Sequence, residues 1–499
     1  MTTLEEQPPV PALGPVEPVL ASRAARGGFI TVGGQVLKIV LQVLAVVLLA
    51  RLLSPRDYGL VAMVMTVIGV GDLLRDFGLS SAAVQCRALS RKQRDNLWWI
   101  NTAIGVGLAL LVCAAAPLLA SLYDRPELTG LARVLCVTFV INGVATQYRA
   151  DLNRRMRFAQ LALADVTAPA VGLAAALAAA HVGATYWAIV VQQVVTLAAM
   201  LAVVVCSARW LPGRPDRSVP MDGLLRFGWN LAGSQVVGYL GRNVDSLIIG
   251  VRFGAVPLGL YNRGYQLLMT PLGQLCAPTT TVALPVLSRL REEPMEYSQY
   301  LRRGQLVMGY TLVAGLGLVI GGAQPVTAVL LGEQWTAVTP VLRLLALAGM
   351  FQTLAYVGYW VYLSRGLTKE LLRYTMLTTA MAAVCILVGS TWGVVGVAAG
   401  YAVSAALEWP LSFWWLARRS DIPVRSLVLG ALRVVAFTLL IALACWGADV
   451  AWAQHVELVR LVAVTATAAV GYVALAVTVP PFRRDVAGVL RIVRRAVHR

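Results

Sequence analysis

The stretch from Phe227 to Leu290 places polar and charged side chains at helical spacing inside segments that are otherwise apolar. The polar residues of its first half recur at three- and four-residue steps and share one helix face: Asn230, Ser234, Gln235, Tyr239, Arg242, Asp245 and Ser246. The second half repeats the pattern: Arg263, Gln266, Thr270 and Gln274. Since polar side chains are costly in lipid, we expect these two helices to line a wet interior.

A similar pattern occurs 200 residues earlier in the chain. Identical residues at this constant offset form five pairs: Gly33 and Gly233, Gln35 and Gln235, Val36 and Val236, Gly59 and Gly259, Leu60 and Leu260. The earlier helix also carries Lys38 and Gln42 on its polar positions. This pattern predicts an internal duplication, which is typical of transporters built from two related helix bundles.

The composition is that of a polytopic membrane protein. Of the 499 residues 58% are hydrophobic and 13% charged, and the mean hydropathy is +0.72. The net charge of +18 comes largely from arginine clusters between apolar runs. Such clusters report membrane orientation, so we predict no nucleic-acid partner.

Several chemistries are excluded by the residues themselves. The three lysines, Lys38, Lys92 and Lys369, do not follow a glycine, so a phosphate-binding loop of the GxxxxGK type is absent. The cysteines form no CxxC pair and the three histidines lie far apart, so no metal site is predicted. Loops of at most about twenty-five residues leave no room for a folded catalytic domain outside the membrane.

Apolar runs of membrane-spanning length predict an all-α fold with fourteen helices. The predicted spans are 28–50, 58–83, 97–122, 128–148, 160–180, 185–206, 224–250, 257–284, 305–331, 340–363, 371–389, 393–416, 427–447 and 458–479. We interpret them as two pseudo-repeated six-helix lobes around a central cavity, followed by two further helices. The predicted divisions are a disordered tail (1–22), an N-lobe (23–206), a basic linker (207–223), a C-lobe (224–416), helices thirteen and fourteen (427–479) and a basic tail (480–499).

Charge in the connecting loops predicts the orientation. Alternate junctions hold arginine clusters, whereas the others, at 54–57, 124–127, 181–185, 332–335 and 389–393, hold few cations. Because basic loops stay in the cytoplasm, the poorly charged junctions face outward. An even number of helices then places both termini in the cytoplasm.

Four cations lie well inside, or near the inner third of, the first two helices of the two lobes: Lys38, Arg75, Arg242 and Arg263. If they converge, they form a positive cavity that suits an anionic headgroup such as a diphosphate. The alternative is local pairing with nearby acids, Arg242 with Asp245 and Arg75 with Asp72 or Asp76. Lys38 has no acidic neighbour in its own helix.

Neutral polar residues on the same helices would suit a sugar, which binds through many hydrogen bonds and aromatic stacking. The amides are Gln35, Gln42, Asn230, Gln235, Gln266 and Gln274, and the aromatic residues are Tyr239, Tyr261 and Tyr265. The alternative for each glutamine is a hydrogen bond between helices.

Asp165 and Glu408 are isolated acids at corresponding late positions of the two lobes. Coupling to protons or sodium ions would use them or the acids Asp72, Asp76 and Asp245. Alternatively, Glu408 serves the backbone near Pro410. We predict no other cofactor.

Three segments carry a family resemblance: ARLLSPRDYGLVAM from Ala50 to Met63, RNVDSLIIG from Arg242 to Gly250, and LGLYNRGYQL from Leu258 to Leu267. The chain resembles the polysaccharide flippases of the multidrug/oligosaccharidyl-lipid/polysaccharide exporter superfamily, above all the O-antigen and colanic-acid branch. The likeness covers the chain from about Gly27 onward. Arg242, Asp245 and Arg263 stand at positions of the family pattern.

This resemblance implies a transporter that moves undecaprenyl-diphosphate-linked oligosaccharides across the bacterial cytoplasmic membrane for lipopolysaccharide or exopolysaccharide export. Its partners would be the lipid-linked substrate, membrane lipids, a polysaccharide polymerase and glycosyltransferases. One alternative is a drug or small-cation antiporter of the same fold, which would need an acidic cavity. The other is a membrane-embedded polymerase or glycosyltransferase, which would need longer outward loops. A scaffold without transport would not explain the buried polar stripes.

Overall fold

The computed structural model describes the backbone of residues 18–76, 90–216, 218, 239, 241 and 243–497, and their side chains except for 18–32, 73–76 and 489–497. These residues form helices and connecting turns, with no β-strand among them. Ten helical segments within the described ranges are long and apolar enough to cross a bilayer. The predicted all-α membrane fold is confirmed, while the count of fourteen spans stays a prediction.

Seven helices form the first half. They are α1 (Pro18–Leu52), α2 (Pro55–Asp76), α3 (Arg91–Leu122), α4 (Glu127–Leu135), α5 (Val137–Arg154), α6 (Phe158–His181) and α7 (Trp187–Ala208). Helix α3 begins with a capping box. The backbone N–H of Gln93 donates to the Ser90 hydroxyl, and the backbone N–H of Ser90 donates to the side-chain oxygen of Gln93. Helix α6 packs along both α1 and α7.

The second half contains α8 (Val244–Phe253), α9 (Ala255–Arg289), α10 (Pro294–Met308), α11 (Ala314–Gly321), α12 (Ala323–Leu330), α13 (Thr339–Ser364), α14 (Thr368–Gly389) and α15 (Gly393–Ala417). The last three helices are α16 (Val424–Ala451), α17 (Glu457–Thr478) and α18 (Pro480–Val497). Gly254 separates α8 from α9 with a φ of 82°, a conformation that favours glycine. The predicted span 224–250 lies mostly outside the described residues, and 58–83 coincides with described helix only as far as Asp76, whereas the other predicted spans fall on described helices.

The predicted N-terminal tail needs correction. Helix α1 begins at Pro18, so residues 18–22 are helical rather than disordered. Proline is preorganised for the first turn of a helix, and the residues after it propagate the helix. At the other end, the predicted basic tail contains the amphipathic helix α18 over residues 480–497. Its Phe482 is buried against Tyr310, Phe437 and Tyr472.

The two halves meet most closely where α2 crosses α9. A Cβ added to Gly59 would overlap the carbonyl oxygen of Ala255, and a Cβ added to Gly259 would overlap that of Pro55. The two glycines and their two contact residues are each related by the offset of 200. The crossing is therefore pseudo-symmetric, as expected for a duplicated unit. Superposition of 28–206 on 224–416 stays a prediction.

A second contact between the halves lies at the end predicted to face outward. The Ala50 carbonyl near the end of α1 accepts from the Gln334 amide and the Trp335 indole N–H, both at 2.7 Å. Gln334 also donates to the Leu53 carbonyl at 3.3 Å. We call these four residues the inter-lobe clamp. They satisfy helix-end carbonyls that would otherwise lack partners.

Candidate functional site

A cavity of about 480 Å³ lies between the two halves of the protein. Its described walls come from α1, α2, α6 and α7 on one side, and from Tyr239, Asn243, α8 and α9 on the other. The polar lining residues are Gln42, Tyr58, Thr66, Gln192, Gln193, Thr196, Tyr239, Asn243, Ser246, Asn262, Arg263, Gln266 and Thr270. We call this the inter-lobe cavity. It offers many donors and acceptors to a neutral polar ligand.

Arg263 is the only charged residue among the described residues that line the inter-lobe cavity. Its side chain is largely buried, and the guanidinium carbon lies 3.3 Å from the centroid of the Tyr58 ring. The Tyr58 ring in turn meets Trp335 edge to face, with centroids 5.5 Å apart. The cation is thus positioned by an aromatic face, and no carboxylate neutralises it within the described lining.

The predicted substrate residues Gln42, Tyr239, Arg263 and Gln266 all line the inter-lobe cavity. Gln42 also accepts a hydrogen bond of 2.9 Å from the Gln274 side chain, so the alternative of a bond between helices holds for this pair. The hydrogen bond between Gln42 and Gln274 joins α1 of the first half to α9 of the second half.

Two predicted residues on α1 lie outside the described lining of the inter-lobe cavity. Gln35 and Lys38 lie about two turns and one turn before Gln42, and their role in substrate binding stays a prediction. The helix continues past the end of the cavity, so residues on the same face reach different depths. Asn230, Gln235 and Arg242 lie outside the described residues, as do the side chains of Arg75 and Asp76.

Asp245 is buried behind the cavity wall and is held by neutral donors. Its carboxylate accepts from the Tyr261 hydroxyl at 2.6 Å and from the Ser246 amide at 2.7 Å. Ser246 lines the inter-lobe cavity, but Asp245 does not. The Asp245 carboxylate therefore fixes the side chain of Tyr261 on α9, and this hydrogen bond does not require a contact with Arg242.

The other acids considered for ion coupling also have neighbours. Asp165, the lone acid of its helix, forms an ion pair of 2.9 Å with Arg149, and its role in ion coupling stays a prediction. The two residues lie on different helices, α6 and α5, which sequence spacing does not relate. Asp72 accepts from the Asn142 amide at 3.2 Å. At Glu408 the backbone carbonyl accepts from the Tyr374 hydroxyl at 3.1 Å.

Seven polar cavity residues were not predicted from the sequence: Tyr58, Thr66, Gln192, Gln193, Thr196, Asn243 and Asn262. Gln192, Gln193 and Thr196 on α7 interrupt an otherwise apolar run, VVQQVVT. A polar side chain within an apolar helix is the same signal that predicted Gln42. Tyr58 has no sequence signal, because its role depends on Arg263 in the other half. No group of three or more metal-binding side chains occurs in the described part of the chain.

The chain is similar in sequence to a known protein family and to several of its relatives. A family model described as "Polysaccharide biosynthesis protein" matches residues 48–340. The chain is 24% identical to the lipopolysaccharide biosynthesis protein WzxC of Escherichia coli, over 73% of this chain and 75% of that protein. It is 28% identical to the teichuronic acid biosynthesis protein TuaB of Bacillus subtilis, over 59% of this chain and 62% of that protein.

Two solved structures share the fold. The lipid II flippase MurJ in an inward closed conformation superposes with a TM-score of 0.68 at 12% identity, covering 89% of this chain and 98% of MurJ. A multidrug resistance transporter of the MATE family, inward-facing, superposes with a TM-score of 0.58 at 17% identity, covering 79% of this chain and 95% of that protein. At these identities the likeness concerns the fold.

Proposed function

Since the chain belongs to the polysaccharide biosynthesis protein family, we propose that it moves lipid-linked oligosaccharide units across the bacterial cytoplasmic membrane by alternating access. The names of its relatives refer to lipopolysaccharide, teichuronic acid and succinoglycan. A protein of this kind is a transporter rather than an enzyme. The diphosphate that joins lipid to sugar is the anionic part of the proposed substrate.

The observation that carries the proposal is the pairing of one cation with many neutral polar groups in the inter-lobe cavity. Arg263 would bind the diphosphate, because a guanidinium presents paired N–H donors to phosphate oxygens. The amides of Gln42, Gln192, Gln193 and Gln266 would bind sugar hydroxyls. The lipid tail would stay in the bilayer while the headgroup passes between the halves.

Transport also requires two arrangements of the halves. The inter-lobe clamp and the α2–α9 crossing hold the halves together at the end predicted to face outward. Release of the clamp would let this end open while the opposite end closes. This mechanism is the rocking of two repeats about a site between them.

A drug or small-cation antiporter of the same fold is the second candidate. The MATE-like fold supports it, but a cation needs carboxylates, and no acid lines the described part of the inter-lobe cavity. We propose a polymerase or glycosyltransferase of the same pathway as a partner of this protein, and not as its own activity. We further propose that both chain termini lie in the cytoplasm, as the basic junctions predict.

The proposal is tested by deleting the gene from its native bacterium and measuring surface polysaccharide and lipid-linked repeat units. We expect surface polysaccharide to disappear and lipid-linked units to accumulate, with both restored by the full-length chain. Normal polysaccharide together with increased drug sensitivity would contradict the proposal and favour the antiporter.

A further inference from the structure

A second cavity, of about 1090 Å³, lies away from the inter-lobe cavity at the ends of α3, α5 and α7. Five arginines line it: Arg91, Arg94, Arg154, Arg155 and Arg209. The remaining lining residues are Ser90, Asp151, Val205, Cys206, Trp210 and Leu211. We call it the basic cavity. It shares no described lining residue with the inter-lobe cavity.

Positive charge exceeds negative charge in the basic cavity. Asp151, the one acid among its described lining residues, lies 3.1 Å from the Arg155 side chain and 3.9 Å from that of Arg94. Arg91 and Arg209 form no ion pair with another described residue. Two arginine side chains are therefore left for a ligand, and repulsion among the five cations favours an anion.

The interior wall of the basic cavity is rigid and holds unused donors. The Arg94 guanidinium lies 3.8 Å from the centroid of the Trp210 ring, which packs on Tyr148 at 4.6 Å. Only 13% of the Arg94 side chain is exposed, yet its Nε finds no hydrogen-bond partner among the described residues. The Trp210 indole N–H also has none there. Both atoms are enclosed by protein and have almost no accessible surface, so the wall offers a ligand the charge of Arg94 rather than these two donors.

The linker after α7 holds this wall against α3. Asn96 exchanges two hydrogen bonds with the Asp216 backbone, at 2.7 and 2.8 Å, and Trp99 donates to the Gly213 carbonyl. Lys92 lies 2.7 Å from the Asp216 carboxylate, and this hydrogen bond lowers the pKa of that carboxyl well below its ordinary value. Asp216 therefore stays charged throughout the physiological range. Trp210 and Leu211 thus remain in place as one side of the basic cavity.

We propose that the basic cavity binds the phosphate groups of an anionic phospholipid. Arginine forks match phosphate oxygens in geometry and charge. The cavity lies at the ends of three helices, where lipid headgroups are found, and Val205 and Leu211 give it an apolar edge. Basic pockets between membrane helices on the cytoplasmic side bind headgroups of this kind. A soluble diphosphate shares the chemistry but not the position at the membrane surface.

The experiment titrates the purified full-length chain with cardiolipin and measures bound lipid by native mass spectrometry. Arg91→Gln with Arg209→Asn removes the two unpaired cations, and asparagine tolerates the left-handed backbone of residue 209, whose φ is 54°. The matched control, Arg291→Asn with Arg302→Gln, removes two exposed arginines of the other half. Thermal unfolding checks that both variants are folded.

We expect the cavity variant to bind cardiolipin at least about ten-fold more weakly than the unmodified chain, and the control less than about two-fold more weakly. Phosphatidylethanolamine should bind all forms equally, and inorganic pyrophosphate at equal concentration should displace little cardiolipin. An equal loss of cardiolipin binding in the cavity variant and the control variant would overturn the assignment of the basic cavity as the binding site. Full displacement by pyrophosphate would overturn the lipid assignment in favour of a soluble diphosphate.

Discussion

Arg263 is held in the inter-lobe cavity by an aromatic ring. A desolvated cation–π contact of this kind contributes about 2 kcal/mol. Because Tyr58 belongs to the first half and Arg263 to the second, the contact positions the cation and joins the halves at once. The guanidinium of Arg263 is thus held at the cavity wall, where an anion can reach it.

The Arg263–Tyr58 contact predicts different results for four substitutions. Arg263→Gln should reach the membrane at the normal level and lose transport, because the phosphate partner is removed. Arg263→Lys should retain part of it, since an ammonium meets phosphate without the paired geometry. Tyr58→Phe should retain transport and Tyr58→Leu should lose it, because only the ring face is needed.

Polysaccharide export and protein level, measured together in each variant, check this prediction. Equal transport by Tyr58→Leu and Tyr58→Phe would contradict the role of the aromatic face. Normal export by Arg263→Gln would contradict substrate binding by the cation.

Among the helices, the α2–α9 crossing depends on the absence of two side chains. Gly59→Ala or Gly259→Ala would force a methyl group onto a backbone carbonyl, and overpacking of this kind costs about 1–3 kcal/mol. We expect a lower thermal unfolding temperature and weaker transport in each variant. Gly107→Ala is the matched control, since nothing lies within 4 Å of an added Cβ there. Equal unfolding temperatures in all three variants would show that the crossing is looser than described.

The inter-lobe clamp should set the balance between the two arrangements of the halves. Gln334→Ala with Trp335→Phe removes every donor of the clamp, and each lost hydrogen bond costs about 0.5–1.5 kcal/mol. Amide exchange across residues 49–58 should therefore become faster, as followed by mass spectrometry. Trp392→Phe is the control, because this exposed residue lies at another junction predicted to face outward. Unchanged exchange in the double variant would argue against a gating role.

The sequence predicted those features that follow from the free-energy cost of placing polar side chains in lipid. Gln42, Arg263 and Gln266 were found because polar side chains in membrane helices need a wet or paired environment. The Arg149–Asp165 pair and the Tyr58–Arg263 contact were missed, because each joins two helices whose mutual rotation depends on packing. The role of Lys38 stays a prediction, since helical spacing gives a face but no depth.

For the molecule as a whole, more of the described lining of the inter-lobe cavity comes from the first half than from the second. Helices α1, α2, α6 and α7 all line it, whereas α13, α14 and α15 do not contribute to its described walls. The helices that form the C-lobe counterpart instead pack together, α15 against both α13 and α14. Within the described walls, α6 and α7 line the cavity, whereas α14 and α15, which follow in the corresponding order of the C-lobe, do not.

The most direct test uses the purified chain in vesicles that carry a fluorescent lipid-diphosphate oligosaccharide. Reduction of the fluorophore from outside reports how much substrate changes leaflet. The unmodified chain should move the substrate faster than protein-free vesicles do, and Arg263→Gln, present in equal amount, should be at least about ten-fold slower, a difference of about 1.4 kcal/mol. Movement no faster than in protein-free vesicles, or equal movement by Arg263→Gln, would contradict a cationic cavity that carries lipid-linked oligosaccharides across the membrane.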